Sequence, residues 1–168
     1  MSALFAALAV GMGYLFILVP NVEMITATVF IAGGIVGPLH GAVIGLLAEL
    51  IYSAFNPFGM AIPPLLIVQV LCFAFIGYVG GVVSSRNSPS TPLRFFVLGV
   101  CGFFLTLFYD VATTLSFALF TAGTDLQKLA STFVFGITFY AVHSIGNTLI
   151  FVTVVPGVQM ALRRYLKS

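Results

Sequence analysis

The chain has 168 residues, of which 61% are hydrophobic and 6% charged, with Lys+Arg 6 against Asp+Glu 4. A soluble domain carries about 25% charged residues, so this composition excludes a water-facing globule and makes the bilayer the solvent. The net charge of +2 is too small an excess to imply nucleic acid, and the length suits one integral-membrane domain over 1–168 with no second domain.

A spanning helix needs roughly 20 mainly apolar residues. The pattern predicts a first helix over about 2–19, stopped by Pro20-Asn21. This segment lacks a basic leader and a cleavage site, so it reads as a retained span rather than a signal peptide. A second helix over about 23–36 and a third over about 39–55 are separated by Gly37-Pro38-Leu39-His40-Gly41, because Pro and Gly interrupt a helix. Both are short for a full crossing. Asn56-Pro57-Phe58-Gly59 is a turn, and Pro63-Pro64 sits in the first turn of a fourth helix over about 62–84, where missing donors cost little. Ser85 to Pro92 is a polar loop before a fifth helix over about 93–121. Thr124-Asp-Leu-Gln127 reads as a capping box for a sixth helix over about 125–155, which Pro156-Gly157 would kink or end.

The fold expected is therefore an all-α membrane protein of six transmembrane helices, and an even number of spans puts both termini on one side. Arg86, Arg94, Arg163, Arg164 and Lys167 share that side, whereas Lys128, with Glu23 and Asp125, lies opposite. Basic residues concentrate in cytoplasmic segments, so both termini are expected in the cytoplasm. Cys72 and Cys101 fall inside apolar segments and read as packed thiols rather than a disulfide.

Small residues recur at helix-packing spacing. Ala3, Ala7 and Gly11 form one row, Ala9 and Gly13 another, and Gly33, Gly37, Gly41 and Gly45 a third. The third row is expected to pack the second helix against the third. His40, beside the hairpin, reads as a turn or interface residue.

Charges inside a bilayer are costly and usually functional. Glu49 falls near the outer end of the third helix. Asp110 lies roughly 16 Å from the outer end of the fifth at 1.5 Å per residue, His143 at similar depth in the sixth, and Asn147 one turn deeper on the same face. Gln69 sits near the start of the fourth helix. Asp110 with Thr113 and Thr114, and Glu49 with Tyr52, continue these polar faces, and Tyr109 adds an aromatic. Two readings stand: interhelical hydrogen bonds, such as Asp110 with His143, that staple the bundle, or a cavity opening outward. The set as a whole favours the cavity. Asn21 and Glu23 also carry two readings, a cap with an acid in the first turn of the second helix, or a loop at the outer mouth that touches ligand.

Absences narrow the function. There is no Gly-Lys-Ser/Thr, so no P-loop for ATP, and no His-Glu-x-x-His; no metal site or cofactor is expected.

Four stretches together resemble the substrate-binding S components of energy-coupling factor (ECF) vitamin transporters. They are the Ala-rich opening from Ala3 to Ala9, Pro20-Asn21-Val22-Glu23 with the Phe30–Gly41 run, Asn56-Pro57-Phe58-Gly59 ahead of Pro63-Pro64, and Tyr109-Asp110-Val-Ala-Thr113-Thr114. The resemblance implies a multi-pass subunit in the plasma (inner) membrane of a prokaryote, with no enzymatic activity of its own. It implies capture of a vitamin or related micronutrient between the first loop and the outer halves of helices four to six. Asn21, Glu23, Glu49, Tyr52, Gln69, Tyr109, Asp110, Thr113, His143 and Asn147 are the candidate contacts. It also implies docking through Ala3, Ala7 and Gly11 on a transmembrane coupling subunit driven by two ATPase subunits. The acids suit a neutral or cationic ligand, with a cobalamin-like compound the first expectation. The rival expectations are a membrane-embedded enzyme acting on a lipid or isoprenoid with Asp110 and His143 as acid and base, and a structural membrane protein without ligand.

Overall fold

A computed structural model describes residues 1–19, 21–85 and 92–165. Pro20, the loop residues Arg86 to Thr91, and Leu166 to Ser168 lie outside the described residues, as does the side chain of Arg163. The expectations placed on Pro20, Arg86 and Lys167 therefore fall outside them too.

The described chain is all helical: α1 (Ser2–Leu15), α2 (Ile25–Val36), α3 (Pro38–Ala54), α4 (Pro63–Ser85), α5 (Pro92–Ala122) and α6 (Leu126–Tyr165). Among the described residues, three helices (α4, α5 and α6) are long and apolar enough to cross a membrane. That pattern points to membrane association. The helices α1, α2 and α3 are apolar but have 14, 12 and 17 residues. At 1.5 Å per residue the 12 residues of α2 reach about 18 Å, short of the roughly 30 Å hydrocarbon layer.

Helix α2 lies at the centre, packed on α1, α3, α4 and α6. Its first nine residues are all buried, which is why it is apolar all round rather than amphipathic. Helix α4 packs on α2 and α3, and α5 and α6 form a long antiparallel pair joined to the rest through α4–α5 and α2–α6 contacts. Phe30 and Phe151, both fully buried, meet with ring centroids 4.9 Å apart and lock α2 to α6. The outer surface carries Leu4, Phe104, Phe120, Phe135 and Leu149, each at least half exposed; such an apolar exterior suits a lipid solvent.

Several boundaries differ from expectation, for identifiable reasons. Helix α1 ends at Leu15, four residues early, because the chain turns through Phe16–Val19 before Asn21. Asn21 adopts φ 59°, a left-handed conformation that Asn tolerates better than most residues. Asn21 is not the cap of α2. Met24 takes that position without a side-chain cap bond, and Glu23 lies before the helix instead of in its first turn. Between α2 and α3, Gly37 at φ 94° makes the corner, which a residue with a Cβ would strain, and Pro38 opens α3 with its preset φ. Helix α6 runs through Pro156 to Tyr165, past the end expected near residue 155. An interior proline removes one backbone bond, but the flanking Val155 and Gln159 are buried, and that packing carries the helix on.

The start of α6 also departs from the expected capping box. Asp125, not Thr124, is the cap: its Oδ1 accepts from the backbone N–H of Gln127 at 3.0 Å and of Lys128 at 3.2 Å. An Asp125→Ala substitution is expected to cost about 1 kcal/mol and lower the melting temperature by about 2–4 °C, while Thr124→Ala leaves it unchanged. Differential scanning fluorimetry in detergent separates the two.

Candidate functional site

Apart from the Ser84–Gln159–Arg94 set at the opposite end, most buried polar residues of this apolar bundle gather toward one end. That end is made by the α1–α2 connector, the start of α4, the end of α5 and the start of α6. From the connector, Glu23 reaches α6. Its Oε1 lies 3.4 Å from His143 Nε2 and accepts from Asn147 Nδ2 at 3.2 Å. Thr26, in the first turn of α2, donates to the same oxygen. His143 and Asn147 are one turn apart on α6, which is why one carboxylate meets both. On its other side His143 Nδ1 lies 2.8 Å from Asp110 Oδ1 of α5. The imidazole is thus sandwiched between carboxylates from two other elements, and only the imidazolium, with both nitrogens protonated, donates to both.

Burial would push the Glu23 carboxyl up. The His143 hydrogen bond and charge, with the Thr26 and Asn147 hydroxyl and amide, together outweigh it and hold Glu23 below the ordinary carboxylate range. The connector is therefore tied to α6 by charge-assisted bonds, which are shorter and stronger than neutral ones.

A second polar row crosses from α3 to α5. Ser53 Oγ donates to Glu49 Oε1 at 2.7 Å and lies 3.4 Å from Gln69 Oε1 on α4; Gln69 Nε2 donates to Tyr109 OH at 3.2 Å. Glu49 is 1% exposed, so Ser53 is its nearest means of satisfaction. Tyr109 packs edge-on against Phe73, which fixes its ring.

Between these rows lies a cleft of about 380 Å³ lined by α4, α5 and α6. Pockets that hold small molecules run from about 300 to 1,000 Å³. Of the expected contacts, Gln69, Tyr109, Asp110, Thr113 and His143 line it. Glu23 stands behind His143 and orients its ring, and Asn147 holds Glu23 in place. Glu49 acts through Ser53 at the far end of the Gln69–Tyr109 row. Asn21 holds the connector, its carbonyl oxygen 3.4 Å from where a Cβ on Gly146 would lie. Tyr52 is placed elsewhere: it stacks on Tyr14 with centroids 5.1 Å apart, at the α1–α3 contact.

Thr114, placed on the polar face of Asp110 by the sequence, lines the cleft too, and the structure adds lining residues that sequence reasoning left out, chiefly Phe117, Phe139 and Tyr140. Tyr140 OH donates to Thr114 Oγ1 at 2.7 Å and closes one side of the cleft. The signal for Tyr140 was present, since it precedes His143 by three residues and so shares its face. The cleft thus offers aromatic walls, a carboxylate, an imidazole, an amide and hydroxyls. It can grip a flat ring and satisfy several hydrogen-bonding groups on its edge.

Of the expected docking row, Ala3, Ala7 and Gly11 are all exposed on α1, while Ala6, Ala9 and Gly13 of the same helix are buried against α2 and α3. A Cβ added at Gly11 would meet nothing within 4 Å. Among the described residues, no group of three or more His, Cys, Asp or Glu is placed to hold a metal ion. Compared with protein-family models, with curated proteins and with solved structures, the chain shows no match.

Proposed function

We propose that this chain is the substrate-capture subunit of a vitamin importer of the ECF type, without enzymatic activity of its own. The observation that carries this reading is the convergence of polar side chains from the connector, α4, α5 and α6 on an open cleft at one end of an apolar bundle. In this reading all six helices lie within the plasma membrane of a prokaryote, both termini face the cytoplasm, and the cleft faces out. Glu23 ties the connector over the site. A vitamin or related micronutrient enters between α4, α5 and α6 and contacts Gln69, Tyr109, Asp110, Thr113 and His143. A one- or two-ring compound would be taken up whole, and a cobalamin-like compound would seat one edge. The exposed Ala3, Ala7, Gly11 row docks on a separate transmembrane coupling subunit, and two ATPase subunits drive delivery. The absence of a P-loop in this chain suits that division of labour.

Native mass spectrometry of protein purified from its own host is expected to show one retained small molecule per chain. Ala3→Trp and Ala7→Trp are expected to abolish uptake in cells while the purified variants keep that ligand. Equal loss of binding and uptake would overturn the docking role of α1.

One observation favours a second reading. Asp110 and His143, in contact beside a cleft, form a pair of the kind that moves protons in an enzyme. Glu23 on the other ring nitrogen speaks against it, since it leaves neither nitrogen free. Turnover of a lipid or isoprenoid substrate, lost in a folded Asp110→Asn variant, would establish that alternative.

A further inference from the structure

The α5–α6 seam holds a set of groups of which the cleft uses Asp110 alone. Its register follows from three contacts. A Cβ on Gly102 would lie 3.1 Å from the carbonyl oxygen of Asn147, Asp110 meets His143, and Thr114 meets Tyr140. Thr106 lies one turn from both Gly102 and Asp110 on the same face of α5. It is therefore level with the Ser144–Asn147 turn of α6.

At this level four side-chain oxygens are buried without a hydrogen-bond partner: Thr106 Oγ1, Asp110 Oδ2, Ser144 Oγ and Asn147 Oδ1. Their residues are 1%, 3%, 1% and 1% exposed. Asn21 Oδ1 is in the same condition on the connector that overlies Gly146. A buried polar atom left unpaired costs about 1–3 kcal/mol. Every atom in this set is an oxygen. The carboxylate and amide oxygens only accept, and the hydroxyls can turn their lone pairs the same way. A hard cation satisfies such a set, because each of the four oxygens can turn a lone pair towards it.

The charge count agrees. Glu23 and Asp110 bring two carboxylates, and His143 even as an imidazolium supplies a single positive charge, so with both acids ionised the cluster carries one negative charge. The described cations do not meet it. Lys128 pairs with Asp125 at 3.7 Å, Arg94 donates to Gln159 at 2.9 Å, and Arg164 is exposed. A divalent ion would call for several carboxylates, and a transition metal for nitrogen or sulfur donors. One carboxylate among neutral oxygens suits a monovalent hard cation. We propose that the α5–α6 seam binds one sodium ion through Asp110 and Asn147, with the Thr106 and Ser144 hydroxyls completing its shell. Because Asp110 also lines the cleft through its contact with His143, the ion would set the charge that a captured ligand meets.

The test uses the full chain in detergent, with sodium as the only ligand. Radioactive sodium is expected to bind saturably at one ion per chain. The melting temperature is expected to rise with sodium chloride and not with potassium or choline chloride at equal ionic strength. Thr106→Val is expected to weaken sodium about tenfold, the equivalent of one lost hydrogen-bond-scale contact. Asp110→Asn is expected to abolish the response. The wild-type binding measurement stands even where a variant fails to fold. No saturable sodium binding, or identical melting in all three salts, overturns the site. A melting temperature that follows pH but ignores sodium also overturns it, because a proton on Asp110 then neutralises the cluster. None of these readouts involves an organic ligand, so their failure leaves the proposed function standing.

Discussion

Replacing His143 with Leu is expected to lower the melting temperature by about 10 °C or more. The ring sits between Asp110 at 2.8 Å and Glu23 at 3.4 Å. Its removal strands two carboxylates, one of them on a residue 3% exposed, without the imidazolium that lies between them. Breaking a buried ion pair by deleting one partner costs about 3–5 kcal/mol, and in a chain of this size each kcal/mol is worth about 2–4 °C. The loss is of a particular kind, because what destabilises is the charge left behind. A second substitution, Asp110→Asn, placed on His143→Leu, is therefore expected to recover part of the melting temperature, although the double variant lacks both members of the pair. If the two losses simply add, the His143–Asp110 contact is not the source of the effect. The tie to Glu23 predicts a local consequence as well. In His143→Leu the connector loses one of its two bonds to α6, and protease cleavage between α1 and α2 is expected to accelerate.

The residues of this staple were legible in the sequence, and their geometry was not. An acid and an imidazole inside apolar helices stand out because the bilayer makes each expensive. The three-and-four periodicity of a helix then puts Asn147 on the face of His143 and Thr113 with Asp110. The partner of Glu23 was not legible, because a residue 124 positions away from Asn147 meets it only through the position of α2 against α6. Periodicity cannot give that contact when α2 is apolar all round. Tyr52 lies outside the cleft lining for a related reason. Its spacing from Glu49 suggested a polar face, but α1 packs there, Gly13 offers the space, and the ring fills it. The lengths of α1 and α2 were overestimated, whereas α3 has the 17 residues expected; apolar composition continues from α1 into the turn that follows it. Hydropathy reports solvent and does not say where the backbone bonds end.

Gly77→Val is expected to abolish recovery of a monodisperse protein, the largest effect of any single substitution outside the polar cluster. The glycine row of α2 and α3 was expected to pack those helices on each other, and it does so in part: a Cβ on Gly41 would lie 2.5 Å from the Cα of Gly33. Its larger role is to admit α4. A Cβ on Gly77 would lie 2.5 Å from the carbonyl carbon of Gly41 and nearer still to its oxygen, and Cβ atoms on Gly33 and Gly45 would run into the carbonyls of Gly77 and Phe73. Gly80 and Gly81 stand against the backbones of Phe30 and Pro38 in the same way. These obstacles are backbone atoms, which cannot swing aside as a side chain can. Overpacking in an adaptable core costs about 1–3 kcal/mol; here three helix axes would have to separate. The site depends on this junction. Gln69 lies eight residues before Gly77 on α4, about 12 Å along the axis, so a small displacement at the junction carries Gln69 away from Tyr109 and opens the cleft. Even a milder Gly77→Ala that still folds is thus expected to lose ligand retention before it loses its helices by circular dichroism. Gly11→Ala and Gly157→Ala provide the contrast, since a Cβ meets nothing within 4 Å at either position. Both are expected to hold or raise the melting temperature, because Ala favours a helix over Gly by about 1 kcal/mol. Equal tolerance at Gly77 and Gly157 would mean that α2, α3 and α4 do not approach through their glycines, and the placement of Gln69 would need another cause.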